Sequence, residues 1–389
     1  MTSLKPSVLL VASVLLVGLT ASARPATSDY SRLYGEARTC YESGANQACD
    51  SLLAELMSLR LKRLQRRKVS SLLLDNAFVT DRREDIRQAL DSRYVRQSLD
   101  RTEYRFWRIL SELPPTEAVW PADRVTVPVK MVGQPGHTLY GIDVSVNGKR
   151  LSGTLDNCAS DYCEISSDLA KELGIRPIGK KIRINGNKRA QSYIGIADSL
   201  SMGNLVVRNV LFSVSDSFAS IAEALSIDLV IGDNVLRKVG DLVFDNSEGK
   251  VTFSKQILDL PPNVLRAYPG HDYYIDASLD GKTLTMQLDF GNTDTHMNAR
   301  FLEEYPSDEP YEESTTDIIM QDRTWTTKSY LLKKAQFELF GTSCEWDVID
   351  IRLQGNGGRR SHGSFGADML HQYGLVVFNA RHQYLQLTK

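Results

Sequence analysis

The sequence predicts a mainly β protein in which two tandem β lobes follow a small α-helical region. The first observation behind this prediction is a repeat, because residues 144–156 align with 277–289 at an offset of 133. The second is that residues 231–245 align with 365–379, in the same order and at an offset of 134. Two sequence blocks that recur in the same order, at nearly the same offset, indicate a duplicated structural unit. The third is the helical spacing of apolar residues between about 28 and 112.

Each copy of the first block predicts a β-hairpin. The pairs Asn147-Gly148 and Asp280-Gly281 tolerate the positive φ angles of a type I′ turn. Apolar and polar residues alternate on either side of both pairs, as they do in half-buried strands. An aspartate follows the second strand of each hairpin, so the two lobes carry an acidic side chain at corresponding places.

These aspartates, Asp156 and Asp289, are the candidate catalytic residues. A pseudo-twofold axis relating the lobes would bring their side chains face to face. Two carboxylates about 3 Å apart cannot both ionise, so they share a proton and can act as acid and base on one water molecule. The alternative is that each aspartate only caps its own turn, where aspartate is common. The matched repeat positions favour the facing pair.

The residues around the two aspartates carry a family resemblance. The aspartate turns read Leu155-Asp-Asn-Cys-Ala-Ser160 and Leu288-Asp-Phe-Gly-Asn-Thr293, and a later block in each copy ends in Gly232 or Gly366. In this arrangement residues 125–389 resemble the retropepsin-like aspartic proteases in a fused two-lobed form. The resemblance implies an acid-protease fold in which the two glycine blocks are structural and cross behind the aspartates.

The aspartate turns also differ from that family's pattern, which has Thr or Ser and then Gly after the aspartate. Asn157 and Phe290 stand where the family has a hydroxyl that links the lobes, and phenylalanine cannot donate such a bond. Cys158 replaces the glycine in the first lobe, whereas Gly291 keeps it in the second. The residues that we predict to support the carboxyl pair are Asn157, Cys158, Ser160, Gly291 and Thr293. No histidine has the spacing to activate Cys158, so a small buried residue is the favoured interpretation of this thiol.

The resemblance implies hydrolysis of peptide bonds in a peptide or protein substrate, without a covalent intermediate, metal or organic cofactor. One aspartate would deprotonate the water while the other, protonated, polarises the scissile carbonyl. The competing hypothesis is a catalytically impaired pseudoenzyme that binds extended peptides or a protein partner. Retention of both aspartates favours the enzyme, and Cys158 with Phe290 favours the pseudoenzyme. Because each lobe supplies one aspartate, a monomer is sufficient for a complete cleft.

The resemblance also implies a hairpin in each lobe that closes over the substrate. The candidate tips are residues 185–188 and 321–324, followed by Tyr193 and Trp325 respectively. An aromatic side chain there could pack on the substrate and exclude water. The alternative is that the first tip is simply a good turn and that Trp325 is a half-exposed strand residue.

Composition and charge exclude several other classes of protein. A length of 389 residues with 42% apolar content predicts two or three domains with real cores. A net charge of −2 gives no reason to expect nucleic acid, and the basic run 62–68 reads as the solvated face of a helix. The histidines have no metal-ligand spacing. Residues 355–360 lack the lysine of a phosphate loop and predict a surface loop.

The first residues predict an export signal. Lys5 precedes the apolar run 8–19, and Ala21-Ser-Ala23 supplies a small-residue cleavage pattern. Twelve apolar residues are too few to span a bilayer comfortably, so we expect no membrane span and a periplasmic or secreted protein. In an oxidising compartment Cys40 and Cys49 predict a disulfide. The remaining odd count leaves at least one thiol unpaired.

The predicted domains are a signal peptide at 1–23, a helical region at 24–118, and two lobes at 119–260 and 261–389. Within the helical region, apolar spacing predicts helices, the first of which spans 48–67. The region could be a packing domain, a prosegment that covers the cleft, or a surface that binds a protein partner. Its apolar stripes favour permanent packing.

Overall fold

The computed structural model describes most of the chain and shows a mainly β protein with helices at its N-terminal end. The described residues are 27–159, 161–183, 191–270, 272–307, 310–320, 323–353 and 360–389. Several predictions fall outside them: the signal peptide, Ser160, residues 185–188 and 321–322 of the hairpin tips, and most of the loop at 355–360. In the described part of the chain, no helix combines the length and apolar character needed to cross a membrane.

The helical region consists of consecutive, mostly short helices. They are α1 Thr27–Glu42, α2 Asn46–Ser58, α3 Arg63–Val79, α4 Arg83–Asp91, α5 Arg93–Ser98 and α6 Arg101–Glu112. The single helix predicted at 48–67 is wrong, because the chain is extended at Leu59 and again at Lys62. Gln65 accepts a hydrogen bond from the backbone N–H of Lys62 and so stabilises the start of α3. Local capping therefore divides an apolar pattern that looks continuous in the sequence.

The predicted disulfide is not formed. Cys40 and Cys49 are both free thiols, the first on α1 and the second on α2. Cys49 is completely buried, and this burial raises the pKa of its thiol to about 12. Because the thiolate is the form that reacts in disulfide exchange, a thiol held protonated is a poor partner.

The remaining elements form the two lobes. In the first lobe they are β1 Glu117–Val119, β2 Arg124–Pro128, β3 Lys130–Gln134, β4 His137–Val146, β5 Lys149–Leu155, β6 Cys163–Ile165, α7 Ser167–Glu172, β7 Arg176–Arg183, β8 Gln191–Met202, β9 Leu205–Ser215, α8 Phe218–Leu225, β10 Leu229–Ile231, α9 Asp233–Leu236, β11 Asp241–Asp245 and β12 Lys250–Ser254. In the second lobe they are β13 Leu265–Arg266, β14 Tyr273–Leu279, β15 Lys282–Leu288, β16 His296–Asn298, α10 Ala299–Glu304, β17 Glu312–Met320, β18 Arg323–Leu339, β19 Thr342–Arg352, β20 Gly363–Phe365, α11 Ala367–Leu370, β21 Leu375–Asn379 and β22 Tyr384–Thr388.

The two lobes repeat one local topology around their aspartates. The hairpin β4–β5 turns at Asn147 and the hairpin β14–β15 turns at Asp280, each with positive φ as predicted for a type I′ turn. β5 then pairs in parallel with β10, and β15 pairs in parallel with β20. A short strand antiparallel to each of these, β6 or β16, lies on the other side. This parallel pairing brings each glycine block next to its aspartate.

A third sheet joins the lobes. Its strand order is β2-β12-β11-β21-β22, and Val243 of the first lobe pairs with Val377 of the second. The hydrogen bonds between β11 and β21 make this sheet continuous across the pseudo-twofold relation. One connected core runs from both lobes through this sheet. The predicted division at residue 260 therefore marks the sequence repeat, and it stays a prediction as a domain boundary.

The helical region packs against both lobes. Leu74, Phe78 and Leu110 share a buried cluster with Ile194 and Leu211 of the first lobe. A second cluster gathers residues of α1, α2 and α3 around Tyr268, which belongs to the second lobe. These contacts are extensive and apolar, as the packing-domain interpretation expects.

Candidate active site

The two predicted aspartates occupy equivalent places in their lobes. The backbone N–H of Asp156 donates to the carbonyl of Ile231 over 3.1 Å, and that of Asp289 donates to Phe365 over 3.0 Å. Each carboxylate also accepts a hydrogen bond from the backbone two residues ahead, from Cys158 N at 2.7 Å or from Gly291 N at 3.1 Å. Each aspartate thus ends a strand and is fixed by the glycine block behind it.

The structure brings these two carboxyl groups together. The backbone of Gly291, two residues after Asp289, approaches Asp156 across the lobe boundary. A Cβ atom built on Gly291 would lie only 2.1 Å from Oδ2 of Asp156 and 2.2 Å from its Cγ. The negative charge of Asp156 also raises the pKa of Asp289. The second aspartate turn therefore lies directly against the carboxyl group of the first, and Gly291 must be glycine because no side chain fits in this space.

Asn157 links the lobes below the carboxyl pair. Its side chain is completely buried, its Nδ2 donates to the carbonyl of Leu288 at 2.7 Å, and its Oδ1 accepts from Phe290 N at 2.8 Å. A hydroxyl group donates and accepts through a single oxygen, whereas an amide donates and accepts at two separate atoms. Asparagine therefore supplies from the first lobe a two-bond connection to the second aspartate turn.

Phe290 makes a different contribution from the hydroxyl that the family resemblance led us to expect. It is 1% exposed, and its ring meets Phe378 with centroids 4.9 Å apart and Phe244 at 5.7 Å, both near edge-on. Phe244 and Phe378 lie on the adjacent strands β11 and β21 of the joining sheet. The second aspartate turn is thus held to this sheet by aromatic packing.

Cys158 is a packed residue. It is not among the non-glycine residues with positive φ, so the backbone accommodates a side chain here. Its Sγ donates to the carbonyl of Leu288 at 3.2 Å. Burial and the charges of Asp289, Asp272 and Asp156 raise the pKa of the thiol well above its usual value. A thiol held protonated in this way is a poor nucleophile. Cys158 is half-buried, so its interpretation as a small buried residue stays a prediction.

A third carboxylate, Asp272, lies near the pair and was missed by the sequence analysis. Burial is the main cause that raises the pKa of Asp156, to about 6, and it also raises the pKa of Asp289 well above its usual value. The charge of Asp272 raises both pKa values further. The register pairs Tyr273 with Leu288, so Asp272 comes next to Asp289 across the hairpin. Counting back from the Asp280-Gly281 turn would have found it.

The two glycines of the later blocks and Thr293, which were also predicted at the site, contact the backbone or a neighbouring side chain near the aspartate turns. A Cβ on Gly232 would lie 2.0 Å from the carbonyl oxygen of Tyr162, and one on Gly366 would lie 2.7 Å from that of Asn292. Both glycines therefore permit close backbone approach behind the aspartate turns. Thr293 donates its hydroxyl to Asp294 at 2.7 Å.

A cleft of about 960 Å³, within the size range of substrate pockets, opens beside the second aspartate turn at Gly291. Neither Asp156 nor Asp289 is among the described residues that line it. Both lobes and the hairpin β17–β18 contribute to its wall, through residues that include Gly136, His137, Ile221, Leu225, Gly291, Asn292, Thr293, Asp294, Thr315, Ile318, Trp346 and Arg352. His137 and Asp294 meet across it, with Nδ1 and Oδ1 2.7 Å apart. In the described part of this wall the hairpin contributes residues 315–318, and neither Tyr193 nor Trp325 takes part. Trp325 pairs with Ile318 across the hairpin.

The described residues contain no group of three or more His, Cys, Asp or Glu side chains arranged to hold a metal ion.

Replacing Gly291 with alanine is expected to lower any peptide-cleaving activity by about 10²-fold or more. The added Cβ forces the two aspartate turns apart, and a displacement of about 1 Å at reacting groups has an effect of this size. The measurement is kcat/KM on a peptide substrate. Gly35→Ala is the matched control, since a Cβ there meets open space. Equal activity in Gly291→Ala and the control would contradict the close approach.

The carboxyl pair is expected to make stability depend on pH. Because folding raises the pKa of Asp156 to about 6, the protonated form is favoured in the folded state. The stabilisation is complete below the unfolded pKa of about 4 and is lost as the pH rises through about 6. Asp156→Asn should therefore raise the free energy of unfolding by about 2–3 kcal/mol at pH 8 and change it little at pH 4. Urea unfolding at both pH values tests this, and an equal change at both would contradict it.

Comparisons with known proteins agree with this geometry in the first lobe. Residues 142–235 match a protein-family model described as an aspartyl protease. This match confirms the resemblance predicted from the sequence.

Solved structures similar to the chain include three proteins. An aspartic proteinase from Irpex lacteus is 11% identical, with 68% of this chain and 97% of that chain covered and a TM-score of 0.42. A retropepsin-like aspartic protease from Rickettsia conorii is 15% identical, with coverages of 36% and 94% and a TM-score of 0.24. Basic 7S globulin from soybean is 11% identical, with coverages of 69% and 96% and a TM-score of 0.37. Likenesses at these scores carry no argument about function. A search of curated proteins found no significant match.

Proposed function

We propose that this protein, which resembles the retropepsin-like aspartic proteases, is an aspartic endopeptidase that uses Asp156 and Asp289 to activate water. The observation that carries the proposal is the close approach of the two aspartate turns. Gly291 donates to Asp289 at 3.1 Å, and a Cβ built on it would lie 2.1 Å from Oδ2 of Asp156. Two acids held this closely at equivalent positions of two lobes are suited to share one proton. If Asp156 and Asp289 only capped their own turns, the two aspartate turns would not need to be in contact.

The proposed mechanism needs one carboxyl protonated and the other ionised. Burial raises the pKa values of both groups, and the charge of Asp156 raises that of Asp289 further, so the pair keeps a proton at a pH where isolated aspartates are fully ionised. The ionised member would take a proton from water as it attacks the peptide carbonyl, while the protonated member donates to the carbonyl oxygen. The pair titrates as a unit, and the roles are therefore assigned to the pair.

The proposed substrate is an extended peptide that lies in the cleft beside the second aspartate turn. The hairpin β17–β18 contributes Thr315, Thr316 and Ile318 to the cleft wall, and these residues could contact a peptide along its length. Trp346 and Ile349 add apolar surface on the second lobe. Polar side chains are also frequent in the described wall, and they include the carboxylates of Asp294, Asp317, Asp350 and Asp368.

The test is cleavage of a mixed peptide library by the purified protein between pH 3 and pH 8. We expect internal cleavage that a transition-state-mimicking inhibitor of aspartic proteases blocks. A metal chelator and a serine-protease inhibitor serve as controls and should have no effect. Absence of cleavage at every pH by protein shown to be folded would contradict the proposal.

The second candidate function is a pseudoenzyme that binds peptides without cleaving them. The observation in its favour is the aspartate turns themselves, where Cys158 and Phe290 make packing contacts in place of the family's glycine and hydroxyl. Peptide binding measured by fluorescence anisotropy, with intact peptide recovered afterwards, would support this function against the first.

We also propose that the protein is exported and that its signal peptide is removed near Ala23. The proposal is supported by Lys5, the apolar run 8–19 and the small-residue pattern that follows. N-terminal sequencing of protein recovered from its native cells tests it. Recovery of a chain that begins at Met1 would contradict it.

The helical region is proposed to be a permanent packing domain. Arg237 of the first lobe donates to the carbonyl of Val79 at 2.8 Å, and its guanidinium lies 5.7 Å from the ring centroid of Phe78. Recovery from native cells of a mature chain that lacks the helical region would favour the prosegment alternative.

A further inference from the structure

A second cavity lies where helix α1 faces the second lobe. It has a volume of about 270 Å³, and its lining residues come from both sides: Arg38, Glu42, Leu265, Arg266, Ala267, Tyr274, Thr285 and Arg360. No residue of this wall also lines the described cleft beside the second aspartate turn. The cavity is therefore separate from the proposed catalytic site.

Positive charge exceeds negative charge in the wall of this cavity. Three arginines, Arg38, Arg266 and Arg360, face one carboxylate, that of Glu42. Glu42 already accepts hydrogen bonds from Arg38 at 2.9 Å and from Tyr268 N at 3.1 Å, and it pairs with Arg360 at 3.1 Å. One carboxylate is thus divided between two guanidinium groups.

The charge of Arg266 is balanced by two aspartates that do not line the cavity. It pairs with Asp161 at 2.8 Å and with Asp233 at 3.1 Å. Arg237 competes for the same two carboxylates, at 3.6 Å and 2.9 Å. Two buried arginines therefore share two aspartates, and this cluster offers no spare negative charge to the cavity.

Two of the three arginines also have a buried donor without a partner. The Nε atoms of Arg38 and Arg266 are inaccessible to solvent and form no hydrogen bond within the described structure. Arg266 as a whole is only 3% exposed. A buried donor left unpaired costs about 1–3 kcal/mol, and more when the group is charged. Guanidinium groups bind carboxylate and phosphate oxygens through two parallel bonds. The side chains of Arg38 and Arg360 are 34% and 38% exposed, so their guanidinium edges are within reach of such a ligand.

We propose that this cavity binds a small oxyanion, a phosphate or carboxylate group, between Arg38 of helix α1 and Arg266 with Arg360 of the second lobe. The oxyanion would compensate the excess positive charge and would connect the helical region to the second lobe. The proposal does not rest on peptide-cleaving activity.

The test is titration of the full-length protein with sodium phosphate, followed by isothermal calorimetry at constant ionic strength. We expect saturable binding and a rise of roughly 1–3 °C in Tm at saturating phosphate, because a ligand that binds only the folded state stabilises it. The double variant Arg38→Gln/Arg360→Gln should lose at least about tenfold in affinity. Arg32→Gln, on the same helix but paired with Glu36 at the surface, is the matched control and should bind like the wild type.

A Lys variant separates loss of charge from loss of fold. Arg360→Lys keeps the charge and should retain part of the affinity, and circular dichroism at the titration temperature shows whether each variant is folded. Acetate titrated in parallel distinguishes the two sources of the oxyanion, since a phosphate site prefers phosphate and a carboxylate site binds acetate as well. The proposal is overturned if neither anion binds, or if the double variant binds as tightly as Arg32→Gln.

Discussion

Asp156→Asn and Asp289→Asn are each expected to lower kcat/KM for peptide cleavage by about 10³-fold or more. Each substitution keeps the size of the side chain but removes the proton that the pair shares, so neither proton transfer of the reaction can be completed. The two aspartate turns are in contact through Gly291, and the charge of Asp156 raises the pKa of Asp289. For groups that act as a unit, we expect the double variant to be little worse than either single variant.

The measurement is single-substrate kinetics with a peptide identified from the library, at the optimum pH of the wild type. Asp280→Asn is the matched control, because this residue sits at the hairpin turn where the first lobe already has Asn147. The control should keep full activity. An active Asp156→Asn or Asp289→Asn variant would refute the shared-proton pair, whatever other residue carried the reaction.

Phe290→Ala is expected to lower the free energy of unfolding by about 3–5 kcal/mol. The ring is 1% exposed and packs edge-on against Phe244 and Phe378 at the centre of the sheet that joins the lobes. Removing it leaves a cavity beside the second aspartate turn, and large-to-small changes in packed cores have effects of this size. Activity should fall as well, because the same residue fixes the turn that carries Asp289.

Urea unfolding at a single pH checks this expectation. Phe290→Leu fills most of the space and should lose clearly less stability than the alanine variant. Phe340→Ala, at a side chain that is 45% exposed, is the control for loss of an aromatic ring and should change stability by less than about 1 kcal/mol. A loss below about 1 kcal/mol for Phe290→Ala would show that this packing does not hold the lobes together.

Much of the fold could be predicted because the same strand and turn pattern occurs in both copies of the repeat. The positive-φ turns at Asn147 and Asp280 set the hairpin registers, and those registers place Asp156 and Asp289 at equivalent strand ends. The glycine blocks at Gly232 and Gly366 followed from the same alignment. These features depend on local backbone geometry, which a few residue types specify strongly.

Helix boundaries and the cysteine pair were predicted less well. The apolar pattern at 48–67 gives no sign that the chain becomes extended at Leu59, since apolar stripes on both helices continue with similar spacing. The spacing of Cys40 and Cys49 likewise gives no information about burial, and burial keeps the second thiol protonated.

The sequence by itself determined the duplicated β architecture and the two acids, because turn chemistry and strand alternation act over a few neighbouring residues. Only the tertiary structure decided how the acids are held. Asn157 bonds across the lobe boundary to Leu288 and Phe290, and Phe290 packs on the joining sheet. The sequence repeat cannot specify such contacts, because these residues differ between the two copies. Their roles depend on which residue of the other lobe faces them, and that is set when the two lobes pack.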